Sequence, residues 1–142
     1  KILRLKKRSV DQGLLLVATD ISQFDPFLEG LERKYYEELN RNWPGPITFL
    51  VPDNGCAPRW VVGKHKTLGL RVSDHSLIKT LCALTGPLVS TSANISGLPA
   101  IKSADEIEEV FDQEIDYVLD GELGNLGKPT QIKDILTGEV LR

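Results

Sequence analysis

Apolar residues in this chain come in short runs separated by polar, turn-forming stretches. GLLLVAT, from Gly13 to Thr19, is bounded by turn formers and predicts a buried strand. From Asp25 to Arg41 the period changes. Phe27, Leu28, Leu31, Tyr35, Tyr36 and Leu39 recur at helical intervals, and Pro26 suits a first turn, so a helix is predicted there. After the break at WPGP, strands are predicted from about Ile47 to Val51 and from Leu68 to Val72, with a loop holding one short element over Cys56 to Lys66. Asp74 is placed to cap a helix reaching about Leu84, with Leu77, Ile78, Leu81 and Leu84 on one face and Gly86 as its stop. PLVSTS, Pro87 to Ser92, reads as a strand. Ser103 and Glu106 form a capping box for a helix to Asp112.

IDYVLDG, Ile115 to Gly121, predicts a further strand, and GELGNLGKP, Gly121 to Pro129, a glycine-rich connector. Strands at Gln131–Leu136 and Glu139–Arg142 predict a closing hairpin turning at Thr137-Gly138. At the start, LRLKKR reads as the basic last turn of a helix, which suits the negative end of the helix dipole. Strands and helices mostly alternate and the final hairpin breaks the alternation. The expectation is one α/β domain over residues 1–142, with a twisted mixed sheet, flanking helices and a ligand crevice at the polar strand ends.

Composition narrows the function classes. At 142 residues the chain can bury one core, and no apolar run reaches the length of a membrane span. A soluble cytoplasmic protein with no membrane partner is expected. Five of the 17 basic residues lie in KILRLKKR, leaving 12 against 20 acids and a net of −8 elsewhere. That balance disfavours a uniformly basic nucleic-acid binder but allows a local anion site near the start. Cys56 and Cys82 stand 26 positions apart, and neither they nor His65 and His75 form a ligand pattern, so neither zinc nor a disulfide is expected. The chain has no methionine and opens on the end of a helix, which suggests the later part of a longer protein.

Phosphate-loop, dinucleotide-binding, nucleophile-elbow and zincin motifs are absent. Ser73, Asp74 and His75 hold triad chemistry, but members of a triad normally converge from separate elements. Two constellations remain. Lys6 and Arg8 suit a polyphosphate, one as a point charge and one as a bidentate fork, provided the helix has ended and the backbone there is extended. Ser90, Ser92 and Asn94 alternate along Ser90-Thr91-Ser92-Ala93-Asn94 after an apolar run, and on one face of an extended segment they could meet phosphate, ribose or a base edge. Arg71, in an otherwise apolar strand, needs an anionic partner, either a structural or a ligand carboxylate.

Taken in order, Lys6-Lys7-Arg8, Trp43-Pro44-Gly45-Pro46-Ile47-Thr48, Leu70-Arg71-Val72-Ser73-Asp74-His75 and Ser92-Ala93-Asn94 resemble the YrdC/TsaC family, the L-threonylcarbamoyladenylate synthases. The resemblance extends through LTGEVLR and covers essentially the whole chain. It implies a YrdC-like fold and condensation of L-threonine, bicarbonate or CO2 and ATP into threonylcarbamoyl-AMP and pyrophosphate, with Mg²⁺ accompanying ATP and no resident metal. Partner proteins would then pass the threonylcarbamoyl group to adenosine 37 of tRNA.

By the same resemblance, Lys6, Arg8, Ser92 and Asn94 form the catalytic set. Gln12, Thr67, Ser90 and Arg142 join them around ATP, and Arg71 and Thr130 meet threonine. Val17 stands where some longer relatives carry a histidine. The family's early P-T-E strand and loop is not among these residues, so this polypeptide alone is expected to be poorly active and to expose apolar sheet surface. Two other readings are an RNA-binding module without catalysis and a fragment that only binds ATP.

Overall fold

Where the apolar runs fall, strands form, and their alternation decides what each sheet face meets. The computed structural model describes residues 1–119, 121 and 129–142. Five strands, β1 (Leu15–Ala18), β2 (Ile47–Pro52), β3 (Thr67–Val72), β4 (Leu88–Ser90) and β5 (Gln131–Asp134), make one sheet in the order β4-β1-β3-β2-β5. β1 runs parallel to β3, and β2 parallel to β5, while β1–β4 and β2–β3 are antiparallel. The mixed sheet expected from the sequence is present.

The register sorts side chains cleanly. Leu16 lies opposite Leu70, and Leu70 opposite Phe49, so these share one face. Leu15, Leu50 and Gly69 share the other. The first face is the core. A 3-10 turn at Ile21–Phe24, α2 (Asp25–Leu28) and α3 (Arg33–Asn42) cover it with Phe24, Leu28, Leu39 and Trp43, all buried. Trp43 bridges Phe24 and Phe49 at centroid distances of 6.0 and 5.7 Å, and its indole N–H donates to the Ile47 carbonyl at 2.8 Å. Each large apolar side chain so buried contributes about 1.5–3 kcal/mol.

The predicted helix over Asp25–Arg41 is two helices. Gly30 at φ +83° breaks it, and Glu29 beside it is extended. The apolar spacing survives the break: Phe27, Leu31, Tyr35 and Tyr36 all pack against the core. Periodicity found the face and missed the interruption.

The second face is covered at one end by α5 (Ser76–Thr85), whose buried Cys82 thiol donates to the Val17 carbonyl at 3.5 Å. His75, not Asp74, is the N-cap residue of α5. The Ser73 hydroxyl accepts the His75 backbone N–H at 3.2 Å. At α6 (Ala104–Phe111) the capping box is present in altered form. Ser103 Oγ accepts from Glu106 N, while a Glu106 carboxylate oxygen takes the N–H of Lys102.

Three further expectations change. β4 stops at Ser90, short of Ser92. Residues 115–119 of IDYVLDG are not strand, and most of the GELGNLGKP connector lies outside the described residues. The closing hairpin is narrower than predicted, with one isolated bridge between Lys133 and Val140. Its turn is pinned by Asp134 Oδ1, which accepts the N–H of Leu136 and Thr137.

Candidate functional site

The uncovered part of the second sheet face is the floor of a cavity of about 960 Å³. Leu15, Leu50 and Ile132 make the floor apolar, while Thr67, Gly69 and Arg71 project from β3 by strict alternation. A Cβ at Gly69 would lie 2.2 Å from Leu15 Cδ2, so the missing side chain is what lets Leu15 lie flat there.

One wall joins the segment after the predicted helix end at the start of the chain to the Cys56–Lys66 stretch read in sequence as loop. α1 (Ile2–Leu5) ends at Lys6, with Lys7 in the left-handed region at φ 50°. Lys7 N–H donates to the Arg4 carbonyl and Arg8 N–H to the Leu3 carbonyl, the bonds of a Schellman closure. The helix has ended as expected, but through a tight reversal rather than an extended backbone. A 3-10 turn at Val10–Gln12 follows and interlocks with α4 (Arg59–Val62). Leu14 N–H donates to the Val61 carbonyl and Lys64 N–H to the Asp11 carbonyl. The approach is close: a Cβ on Gly13 would lie 2.5 Å from the Val61 oxygen, and one on Gly63 2.4 Å from the Asp11 oxygen. This wall brings Arg8, Gln12, Val61, Val62 and His65 to the cavity.

The opposite wall is the turn after β4. Ser90, Thr91, Ser92 and Asn94 line it although the strand stops at Ser90. Thr130 and Arg142 close the remaining side. Thr130 Oγ1 lies 3.5 Å from Thr48 Oγ1, and Arg142 Nε donates to the Thr130 carbonyl at 3.3 Å.

Among the described residues, the lining includes Arg8, Arg71, Lys102 and Arg142 and no aspartate or glutamate. In a chain of net charge −3 that segregation is a site feature, not a consequence of composition. Arg71 is half-buried and, among the described residues, makes no ion pair or side-chain hydrogen bond; burial lowers its pKa, opposed by nearby Asp74. Arg8 is lowered by burial as well. Its Nε and Nη2 donate to the Gly13 and Gln12 carbonyls at 3.1 and 3.2 Å, which fix the guanidinium and leave the rest of its fork for a ligand. Such a site favours a ligand with several anionic groups and an apolar part.

The structure brings Arg8, Gln12, Thr67, Arg71, Ser90, Ser92, Asn94, Thr130 and Arg142 to one cavity. Lys6 is set apart. It is 4% exposed, does not line the cavity, and directs its ammonium into the turn at Ser92–Asn94. Ser73, Asp74 and His75 do not line the cavity either. Sequence reasoning missed Thr48, His65, Thr91 and Lys102. Of these, Thr48 carried a signal, a polar residue within the apolar run of Ile47–Val51.

The described residues hold no helix long and apolar enough to cross a membrane. The profile of the Sua5/YciO/YrdC family, described as "Telomere recombination", matches residues 1–142. The chain is 48% identical over its whole length to proteins named threonylcarbamoyl-AMP synthase from Stutzerimonas stutzeri and Pseudomonas entomophila, covering 77% of each. Among solved structures it is similar to P. abyssi Sua5 complexed with L-threonine, with a TM-score of 0.84 and 28% identity. That match covers 94% of this chain and 39% of the P. abyssi protein. It is also similar to E. coli YciO, with a TM-score of 0.81 and 26% identity over 99% of this chain and 70% of the other.

Proposed function

The chain belongs to the Sua5/YciO/YrdC family, and from that premise we propose that its cavity makes threonylcarbamoyl-AMP and pyrophosphate from L-threonine, bicarbonate or CO2 and ATP. The observation that carries the reading is the cationic lining around an apolar floor, without a carboxylate among the described residues. ATP and a threonine carbamate together present phosphates, a carboxylate and a flat apolar base, which match that lining in charge and character.

The reaction needs no covalent nucleophile from the protein. Threonine and CO2 form a carbamate, whose oxygen attacks the α-phosphorus as pyrophosphate leaves. The protein must align the two, keep water from the labile carbamate and offset charge at the phosphates. In this reading Arg8 and Arg142 face the triphosphate, while Gln12, Thr67, Ser90, Ser92 and Asn94 frame the nucleotide. Arg71 pairs with the threonine carboxylate, with Thr130 beside it. The lining offers hydroxyls, amides and guanidinium groups but no carboxylate among the described residues, so Mg²⁺ is read as arriving on ATP.

The product then passes to proteins that transfer the threonylcarbamoyl group to tRNA, in the cytoplasm. The alternative of an RNA-binding module draws little from the basic start of the chain. There Lys1 pairs with Asp116, Arg4 with Glu114, and Lys6 is buried.

Calorimetry with each substrate in turn tests the assignment. Arg8→Ala should weaken ATP binding at least tenfold with threonine affinity little changed, and Arg71→Met should do the reverse. Equal loss of both substrates in either variant, or of neither, contradicts the assignment.

A further inference from the structure

We propose that Lys6 is a positioning residue, whose buried ammonium clamps the Ser92–Asn94 turn in the shape that meets the substrate and does not itself touch the phosphates. The inference rests on the reading of the cavity as a nucleotide site.

An ammonium has three N–H groups. Those of Lys6 meet three acceptors: the Ser92 carbonyl at 2.6 Å, the Asn94 carbonyl at 2.8 Å and Asn94 Oδ1 at 2.8 Å. No donor is left over. The Lys6 carbonyl in turn accepts the N–H of Ser96 at 2.8 Å, so main chain and side chain grip the same turn. Asn94 is committed as well. Its Oδ1 also accepts the Ser92 hydroxyl at 2.8 Å, and its Nδ2 donates to the Leu98 carbonyl at 2.7 Å.

This web explains a feature that strand alternation does not. β4 has ended by Thr91, yet Ser90, Thr91, Ser92 and Asn94 all reach the cavity. Their placement comes from an anchor 86 to 88 residues away in sequence. For Lys6 to bind phosphate it would have to abandon three charge-assisted bonds and leave the Ser92 and Asn94 carbonyls without that donor. Arg8, two positions on, faces the cavity with guanidinium N–H groups to spare. The pair divides the labour: Lys6 holds the wall and Arg8 faces the ligand.

Proton-detected NMR on the unmodified protein, ¹⁵N-labelled and ¹³C-labelled, tests this without a variant. In the free protein the Lys6 ammonium should exchange slowly and show hydrogen-bond couplings to the Ser92 and Asn94 carbonyl carbons. Addition of inorganic tripolyphosphate should shift the Arg8 side-chain signal and leave that of Lys6 in place. A fast-exchanging Lys6 ammonium, or loss of its couplings on adding tripolyphosphate, overturns the proposal. Protection of Lys6 with no response at Arg8 supports the clamp and counts against the nucleotide reading instead.

A double-mutant cycle adds an energetic check. Lys6 also holds the Ser92 and Asn94 main-chain carbonyls, which survive Asn94→Ala, so the variant carrying Lys6→Met and Asn94→Ala should lose less tripolyphosphate affinity than the product of the two single losses. Independent, multiplying losses contradict it.

Discussion

Arg71 shows how a single position can carry both a cost and a use. Its strand neighbours Leu70 and Val72 are buried in the core, while its own side chain turns to the cavity and makes no ion pair among the described residues. A ligand carboxylate there would gain a charge-assisted bond worth about 1.5–3 kcal/mol, so Arg71→Met should raise the KM for threonine roughly 10- to 100-fold in steady-state kinetics. This residue was legible in the sequence because a charge in an apolar run is conspicuous. The burial of Lys6 was not, since nothing local distinguishes a lysine facing phosphate from one facing a distant turn. Lys7 makes a separate prediction. It holds φ 50° at the close of α1, a conformation that glycine adopts without a Cβ clash. Lys7→Gly should therefore raise the unfolding free energy by about 0.5–1 kcal/mol in urea titration.

Among elements, the wall formed by the Val10–Gln12 turn and α4 depends on two glycines whose space is already taken by backbone oxygens. Gly63→Ala should separate these elements and cost about 1–3 kcal/mol by the usual range for overpacking, with ligand binding lost alongside stability. The sequence shows Gly63 and Gly13 only as turn formers; that they face each other is a tertiary fact. Gly30 is the reverse case, a local signal that breaks the span between α2 and α3 and that the strong apolar period outweighed.

A different junction ties α3 to the edge strand β5. Glu38 bonds Lys133 at 3.2 Å, and this bond, with Arg41 and Asn42 nearby, holds its carboxyl below the ordinary range. A depressed carboxyl pKa stabilises the fold above the unfolded value, about 4.3, and that contribution is lost as pH falls through the folded value. Glu38→Gln should therefore lower stability by up to about 1 kcal/mol at pH 7 and lose less than the parent on acidification to pH 3. Thermal melts across that range read the difference directly.

At the scale of the molecule, the sheet is asymmetric. One face is closed by α2 and α3 over an aromatic core, and the other is shared between α5 and the cavity. The mixed sheet followed from the alternation of runs in the sequence, and nine of the ten expected site residues line one cavity. The remaining wall came from turns and glycine contacts, whose partners lie too far along the chain for local pattern to reveal. On the proposed function, this cavity joins a threonine carbamate to the AMP part of ATP. Incubation with ATP, L-threonine and ¹⁴C-labelled bicarbonate, followed by separation of the nucleotides, tests it most directly. A labelled threonylcarbamoyl-AMP that forms with matching pyrophosphate, requires all three substrates and is lost in Arg8→Ala is the predicted result. Untouched ATP, or ADP and phosphate with no label in any nucleotide, would contradict it.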